Sequence, residues 1–203
     1  VRRARAVAEE GAGTPMSAAW FSACVGDILG DTGIVFSELG ALPGPMRLTG
    51  QNRFFANVHA GGLGWGMAAA LGAQLADRDR LVVATVGDGS YMFANPVACH
   101  QVAEALGLPI LTVVKNNAMW NAVRRSVVKA YPEGAATRAN AMPLTSLAPL
   151  PDFCAVAAAS RAHVARVERG EDLPRALAEA VEVIRTERRQ ALVDVRVEAT
   201  DEY

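Results

Sequence analysis

Two short apolar runs, each ending in polar residues, constrain this chain more than any other feature of its sequence. The first covers residues 81–86 and stops at Gly-Asp-Gly-Ser, and the second covers residues 110–114 and stops at Lys-Asn-Asn. Short runs that are rich in β-branched residues are typical of buried parallel strands. We therefore expect a polar segment at the carboxyl end of each of two strands.

The residues between these runs predict the crossover helix that parallel strands require. Asn95 and Pro96 are residue types that begin helices, as a cap and in the first turn. Apolar residues then recur at helical spacing until Gly-Leu-Pro ends the pattern: Val97, Val102, Ala105 and Leu106. Elsewhere the patterns predict helices over 14–29, 62–76, 120–130, 152–160 and 171–188, and strands over 34–37 and 191–197. The expected fold is α/β, a doubly wound, mostly parallel sheet with helices on both faces.

The polar segments predict a site for a divalent metal and a diphosphate. In an open parallel sheet, ligands bind beyond the carboxyl ends of the strands, where Asp88 and Asn117 would both lie. A carboxylate and an amide oxygen suit Mg²⁺ or Ca²⁺ that also takes phosphate oxygens. The glycines beside Asp88 let backbone N–H groups approach a phosphate. Alone, Gly-Asp-Gly is an ordinary turn and Asn-Asn an ordinary loop; the spacing after two strands favours the site.

These residues resemble a known family. Gly-Asp-Gly followed at this distance by Asn-Asn resembles the metal and diphosphate motif of thiamine diphosphate enzymes. Residues 60–117 resemble the diphosphate-binding domain of benzoylformate decarboxylase and acetolactate synthase, beginning with Ala-Gly-Gly-Leu-Gly-Trp-Gly-Met. The resemblance implies the thiamine diphosphate-binding fold, with thiamine diphosphate and Mg²⁺ as cofactors. The chain departs from relatives at Ala118, often a glycine, and at Met67-Ala68, where a proline is common.

The resemblance also implies roles for individual residues at the diphosphate. The metal ligands would be the side chains of Asp88 and Asn117 and the backbone carbonyl of Met119, which also counts among the cofactor contacts. The diphosphate would be held at Gly87, Gly89 and Ser90. A strand-end loop that touches the diphosphate in relatives would here place Gly40 and Ala41 at the cofactor. That loop is often richer in hydroxyl side chains in the family, and Glu38 at its start could instead only cap a helix.

Two further residues would act at the other end of the cofactor. Leu63 falls where the family places a bulky apolar residue beneath the thiazolium, which bends the cofactor and brings its aminopyrimidine nitrogen near the reactive carbon. The Gly61 carbonyl would accept a hydrogen bond from the aminopyrimidine. On its residues alone, Leu63 could equally be a core leucine at the start of a glycine-rich helix.

Several other residues have both a functional and a structural interpretation. His59 could contact substrate or cofactor, although a lone histidine is more often structural, and His100 is expected to be an ordinary helix residue. Trp120, Arg124 and Arg125 follow the metal loop closely enough to line a pocket. An arginine there could pair with a substrate carboxylate, or it could lie on a solvated helix face.

Composition places the chain among globular proteins. It has 203 residues, 51% hydrophobic and 20% charged, and we expect one domain over 14–198 with a tail or linker at 1–13 and a short tail at 199–203. A formal net charge of −1 offers no basic surface for nucleic acid. No apolar run is long enough to span a bilayer and the start lacks a secretion signal, so a cytoplasmic protein is expected.

Two other segments carry weaker expectations. Cys24, Cys99 and Cys154 are widely separated, and we interpret them as reduced core thiols. Residues 131–151 contain four prolines and little periodicity. Long irregular segments inside a compact domain are usually functional or disordered, and the corresponding family segment lies over the active site, so this one is interpreted as a lid.

The expected function is that of a lyase or transferase which decarboxylates or ligates a small 2-oxo acid. By the resemblance, activity also needs a glutamate from a pyrimidine-binding domain or subunit, which this sequence lacks, so the chain should be inactive alone and part of a homo- or hetero-oligomer. Its first residue, Val1, favours a fragment of a longer chain over a subunit of a split enzyme. The alternative is a non-catalytic scaffold or regulatory module; a nucleotide enzyme lacks a supporting motif.

Overall fold

The structure of the protein, a computed structural model, describes residues 2–56, 61–139, 142 and 144–200. Within those residues, six strands form one parallel sheet in the order β2-β1-β3-β4-β6-β5. The strands are β1 Ile34–Glu38, β2 Phe54–Ala56, β3 Val82–Gly87, β4 Leu111–Asn116, β5 His163–Val167 and β6 Ala191–Arg196. The central strands are apolar on both faces because helices cover both sides of the sheet.

The helices divide between the two faces. They are α1 Arg2–Glu10, α2 Ala18–Ile28, α3 Trp65–Ala76, α4 Asp88–Phe93, α5 Pro96–Ala105, α6 Asn121–Ala130, α7 Ala135–Arg138, α8 Phe153–Ala158 and α9 Leu173–Glu187. One core packs α2 and α9 against alternate strand residues such as Val83 and Val113. A second core packs α3, α5 and α8 against the intervening residues, such as Ala84 and Val114. The predicted doubly wound fold is confirmed.

Most predicted elements occur within a few residues of their expected bounds. The helix predicted from residue 14 begins at Ala18, because the Ser17 hydroxyl caps it by accepting a hydrogen bond from the Trp20 N–H (3.1 Å). Five of the described elements were not predicted: α1, α4, α7, β2 and β5. The two strands lie at the edges of the sheet, where β2 is only three residues long and β5 contains an arginine, so neither gives a clear apolar pattern.

A buried polar network connects the helices of the second core. The Tyr91 hydroxyl lies 2.9 Å from His100 Nε2, and His100 Nδ1 lies 2.8 Å from Gln190 Oε1. Gln190 Nε2 donates to the carbonyls of His100 (2.9 Å) and Ser160 (3.2 Å), so Gln190 Oε1 is the acceptor and His100 Nδ1 carries the proton. Burial lowers the pKa of His100 and raises that of Tyr91. As expected, His100 is a structural residue of a helix.

The three cysteines match the expectation of reduced core thiols in part. Cys24, Cys99 and Cys154 all carry free thiols; the first two are buried and the third is partly buried. Burial raises the pKa of both Cys99 and Cys154. Among the described residues, no helix combines the length and apolarity needed to cross a bilayer.

Candidate functional site

A cavity of ≈ 960 Å³ opens at the carboxyl ends of β1, β3 and β4. The chain leaves β1 on the α2 side of the sheet, where Met46 joins the first core. It leaves β3 through α4 and α5, on the opposite side. Ligands of open α/β sheets bind where neighbouring connections diverge in this way. The fold alone therefore marks this crevice as the candidate site.

The cavity brings together all but one of the residues predicted for the cofactor and metal. Those lining it are Gly40, Ala41, Leu63, Gly87, Asp88, Gly89, Ser90, Asn117 and Met119. Gly61 is not among the lining residues; it is exposed and has a φ of +63°. His59 lies outside the described residues. Segments after four different strands thus converge on one cavity, while their individual roles stay predictions.

Asp88 lies at the centre of this arrangement and is buried, with 4% of its surface exposed. One carboxylate oxygen accepts a hydrogen bond from the Gly89 N–H (2.8 Å), and the other accepts from the Asn117 N–H (3.0 Å). Burial raises the pKa of Asp88, and backbone N–H donors oppose that rise. The hydrogen bond from Asn117 joins the ends of β3 and β4, and a bound cation would stabilise the charged form of Asp88 further.

The loop after β4 carries the other two candidate metal ligands. Asn117 Oδ1 accepts a hydrogen bond from the Met119 N–H (3.2 Å), and the Met119 carbonyl accepts from the Asn121 N–H (2.8 Å). Between them Ala118 adopts a φ of +60°. This left-handed conformation favours glycine, which gives a physical reason why relatives often have glycine there.

Asn116, the first residue of the Asn-Asn pair, supports this loop from within the sheet, a role that the sequence did not indicate. It is 2% exposed; its Nδ2 donates to Asp194 Oδ1 on β6 (2.8 Å), and its Oδ1 accepts from the Ala118 N–H (3.1 Å). Asp194 is itself buried and lies 3.5 Å from Arg166 Nε. Burial raises the pKa of Asp194, against the hydrogen bond from Asn116 and the charge of Arg166. A buried polar pair therefore fixes the turn that presents Asn117.

The residues present fit a diphosphate and an Mg²⁺ ion. The Ser90 hydroxyl is buried and has no hydrogen-bond partner among the described residues, as expected of a group that awaits an acceptor. Gly89 approaches the Trp120 ring so closely that a Cβ there would lie 2.4 Å from it. No three His, Cys, Asp or Glu side chains of the described residues are grouped to hold a metal. A metal at Asp88 would therefore complete its shell with amide, carbonyl, phosphate and water oxygens, which suits Mg²⁺.

Glu38, at the end of β1, caps the helix that follows Leu63. Its carboxylate accepts hydrogen bonds from the N–H of Gly64 and from that of Gly66 (2.7 Å). The alternative that Glu38 caps a helix is confirmed. Gly64 in turn lies against the backbone of Phe93, where a Cβ would approach the carbonyl to 2.7 Å. Leu63 is thereby held at the rim of the cavity, with 39% of its surface exposed.

Two cationic side chains contribute to the wall of the cavity. Lys115, the penultimate residue of β4, and Arg125, on α6, both line it. Burial and the charge of Arg125 lower the pKa of Lys115 to about 8, while the charge of Asp88 acts in the opposite direction. Arg125 and Trp120 thus line a pocket, as one interpretation of the sequence proposed. Arg124 is not a lining residue; its Nε donates to Asn121 Oδ1 (3.1 Å).

The end of the proline-rich segment packs on the loop after β4. The Trp120 N–H donates to the Thr145 carbonyl (2.8 Å), and the Leu147 N–H donates to the Ala118 carbonyl (3.0 Å). Thr145 and Leu147 are both buried. This part of the segment is therefore attached to the candidate metal site, and its interpretation as a lid stays a prediction.

Comparison with known proteins agrees with this geometry. Residues 30–195 match the sequence model of the family described as thiamine pyrophosphate enzyme, C-terminal TPP binding domain. The chain is 34% identical over 135 residues to the acetolactate synthase large subunit of Parasynechococcus marenigrum (strain WH8102). That alignment covers 66% of this chain and 20% of the relative, so the chain spans about a fifth of that protein.

Solved structures share the fold. The thiamine diphosphate-dependent 4-hydroxybenzoylformate decarboxylase of Rhodococcus jostii RHA1 superposes with a TM-score of 0.77 at 26% identity, over 95% of this chain and 34% of that one. The benzoylformate decarboxylase of Polynucleobacter necessarius gives a TM-score of 0.70 at 21% identity, over 92% of this chain and 34% of that one, a likeness of fold alone. The chain is thus about a third as long as these neighbours.

Proposed function

The chain belongs to the family of C-terminal thiamine pyrophosphate-binding domains of thiamine pyrophosphate enzymes, and on that premise we propose that it is the Mg²⁺- and diphosphate-binding part of an enzyme that decarboxylates or ligates 2-oxo acids. The observation that carries the proposal is the single cavity lined by Asp88, Asn117 and Met119 together with the glycines after β1 and β3. The acetolactate synthase and decarboxylase relatives support the class of reaction.

The chain's own residues would hold the cofactor by its charged end. The Asp88 carboxylate, the Asn117 amide oxygen and the Met119 carbonyl would bind Mg²⁺. The backbone at Gly87 and Gly89 would contact the diphosphate, and the Ser90 hydroxyl, which has no partner among the described residues, would donate to it. Gly40 and Ala41, from the loop after β1, would close the same pocket from the other side. Each of these donors is positioned by a strand end, so the site is preorganised.

Leu63 and Gly61 would act at the reacting end. When bound, thiamine diphosphate supplies the carbon nucleophile that adds to a 2-oxo acid and the electron sink that stabilises the resulting carbanion. Leu63 would support the cofactor from beneath and keep it bent, while the Gly61 carbonyl would accept a hydrogen bond from its aminopyrimidine. The apolar wall at Leu63 would also keep water away from the reacting carbon.

A second domain or subunit would complete this site. Leu63 is 39% exposed, and Phe93, whose backbone lies against the neighbouring Gly64, is 63% exposed. Large apolar residues that are exposed near a cavity are typical of a surface that another domain covers. We therefore propose a pyrimidine-binding domain as the partner, within a homo- or hetero-oligomer, with a small 2-oxo acid as substrate.

Binding of thiamine diphosphate to the purified chain tests the diphosphate site. We expect Mg²⁺-dependent binding, measured by native mass spectrometry and titration calorimetry, that Asp88→Ala abolishes while circular dichroism shows an unchanged fold. Asp79→Ala, which removes a fully exposed carboxylate, should bind as the unmodified chain does. Tight Mg²⁺-dependent binding to Asp88→Ala would contradict the metal assignment.

Turnover of a 2-oxo acid by the chain together with a pyrimidine-binding partner tests the enzyme assignment. Native mass spectrometry after mixing with lysate of the source identifies such a partner by its mass. Assembly with cofactor but no turnover of any 2-oxo acid would instead favour the scaffold or regulatory module.

A further inference from the structure

The chain makes unusually little use of lysine. It contains 18 arginines and only two lysines, Lys115 and Lys129. Lys129 is an exposed residue near the end of α6 and does not line the cavity, whereas Lys115 is partly buried and does. A chain that otherwise takes its positive charge from arginine therefore places one of two ammonium groups inside the candidate site.

The position of Lys115 connects it directly to the Asp88 segment. Its backbone pairs in register with Gly87, the residue that immediately precedes Asp88. Its side chain lines the same cavity as those of Asp88 and Arg125. β4 is otherwise apolar from Leu111 to Val114, except for Thr112, so the core alone gives no reason for a cation at this position.

The charges of the cavity wall leave a bound diphosphate incompletely neutralised by metal alone. Among the described lining residues, Lys115 and Arg125 are cationic, and Asp88 and the exposed Glu198 are anionic. A diphosphate group carries more negative charge than one Mg²⁺ cancels, and Asp88 adds to that excess. Without Lys115 and Arg125, the bound site would therefore hold a marked excess of negative charge.

We propose that Lys115 and Arg125 form a second, cationic contact for the cofactor's diphosphate, alongside the Mg²⁺ held by Asp88 and Asn117. The inference rests on the proposed diphosphate site and adds a specificity: the contact favours a diphosphate ligand over a monophosphate one, because the terminal phosphate supplies most of the charge. A lysine suits the partly buried position, since its ammonium is a compact charge on a flexible stem, while the broader Arg125 guanidinium is carried by α6.

Chemical labelling of the two lysines tests the contact without any catalytic readout. The chain is treated with an acylating reagent, with and without inorganic pyrophosphate and Mg²⁺, and the labelling rate of each lysine is followed by peptide mass spectrometry. We expect pyrophosphate to slow labelling of Lys115 about tenfold, as one charge-assisted hydrogen bond would. Lys129 is the internal control and should label at the same rate throughout. Unchanged labelling of Lys115 at saturating pyrophosphate would overturn the proposal.

Binding measurements on variants give an independent check. Lys115→Met and Arg125→Met should each weaken pyrophosphate binding about tenfold and narrow the preference for thiamine diphosphate over thiamine monophosphate, whereas Lys129→Met should change neither. Thermal unfolding confirms that each variant is folded. Equal affinity of Lys115→Met, Arg125→Met and the unmodified chain would overturn the cationic contact alone. Failure of the unmodified chain to bind pyrophosphate with Mg²⁺ would instead overturn the diphosphate site itself, and this contact with it.

Discussion

Replacing Asn116 with alanine should show whether this residue positions the metal loop or only contributes to the stability of the core. Asn116 lies beneath the loop, 2% exposed, and its amide makes three hydrogen bonds. The two shorter ones are to buried Asp194 at 2.8 Å and from the Ala118 N–H at 3.1 Å, and the third is from Arg196 Nη1 at 3.5 Å. Asn116→Ala removes all three at once. Among the described residues, Asp194 would then keep the longer contact with Arg166 Nε, at 3.5 Å.

The expected loss of stability follows from the two shorter hydrogen bonds of Asn116, those with Asp194 and Ala118. A hydrogen bond to a buried carboxylate contributes about 1.5–3 kcal/mol, and leaving a partly buried N–H unpaired costs about 1 kcal/mol more. We therefore expect Asn116→Ala to lower the free energy of unfolding by about 3 kcal/mol. For a chain of this size that corresponds to a fall in Tm of about 6–12 °C. Because the Ala118 N–H loses its acceptor, the metal loop should also be positioned less well, and Mg²⁺-dependent binding of thiamine diphosphate should weaken.

Thr112→Val is the matched control, on the same strand. Thr112 is fully buried and its hydroxyl has no hydrogen-bond partner among the described residues. Valine keeps the shape of the side chain and removes the unsatisfied hydroxyl. The free energy of unfolding should therefore rise by about 1 kcal/mol, and binding of thiamine diphosphate should not change. Urea unfolding measures the free energies, and titration calorimetry with Mg²⁺ measures the binding.

A double variant distinguishes an effect on the position of the metal loop from an effect on the stability of the fold. In Asn116→Ala with Asp194→Val, no buried carboxylate is left without its amide donor, so most of the lost stability should return. The Ala118 N–H still lacks its acceptor, so binding should stay weak. If binding returns together with stability, or if Asn116→Ala binds as the unmodified chain does, the positioning role of Asn116 is refuted.

Three further predictions concern other parts of the molecule. Leu63→Ala should leave Mg²⁺ and cofactor binding intact but lower turnover of the assembled enzyme about 10²-fold through a misplaced reacting end; equal turnover would contradict the cofactor-bending role. Because burial lowers the pKa of His100 from its ordinary 6.5, the unfolded chain binds the proton more readily. The free energy of unfolding should therefore fall by up to about 1.4 kcal/mol per unit as the pH drops below 6.5, a slope that urea unfolding of His100→Asn should lack. Ala118→Gly relieves a left-handed conformation, and unfolding should require about 0.5 kcal/mol more after the entropy of glycine is subtracted; an unfolding curve shifted to lower urea would count against that reasoning.

The sequence predicted the parts of this molecule whose pattern is local. Strands β3 and β4 are almost continuous apolar runs, bounded by residues that end strands. The polar residues after them could therefore be assigned to one edge of the sheet from the sequence alone. Strands β2 and β5 were missed because edge strands are short or partly polar, so their pairing depends on neighbours distant in sequence. The hydrogen bond between Asn116 and Asp194 joins residues 78 positions apart. The sequence around either residue therefore gives no indication of this hydrogen bond.

Lys115 and Arg125 could not be assigned to one site from the sequence, because their proximity also depends on the fold. Lys115 belongs to the motif, yet its sequence neighbours suggest only a strand end, and Arg125 could as well face solvent. Only the folded sheet places both on one cavity with Asp88. The residues that line this cavity include an apolar group, Phe54, Ala56 and Leu63, and a cationic pair, Lys115 and Arg125. Under the proposed function, the cationic pair contacts the diphosphate, and the apolar group is shared with a partner. Substitutions of the cationic pair should therefore change how firmly the cofactor is held, whereas the choice of 2-oxo acid should follow from the apolar group and the partner that covers it.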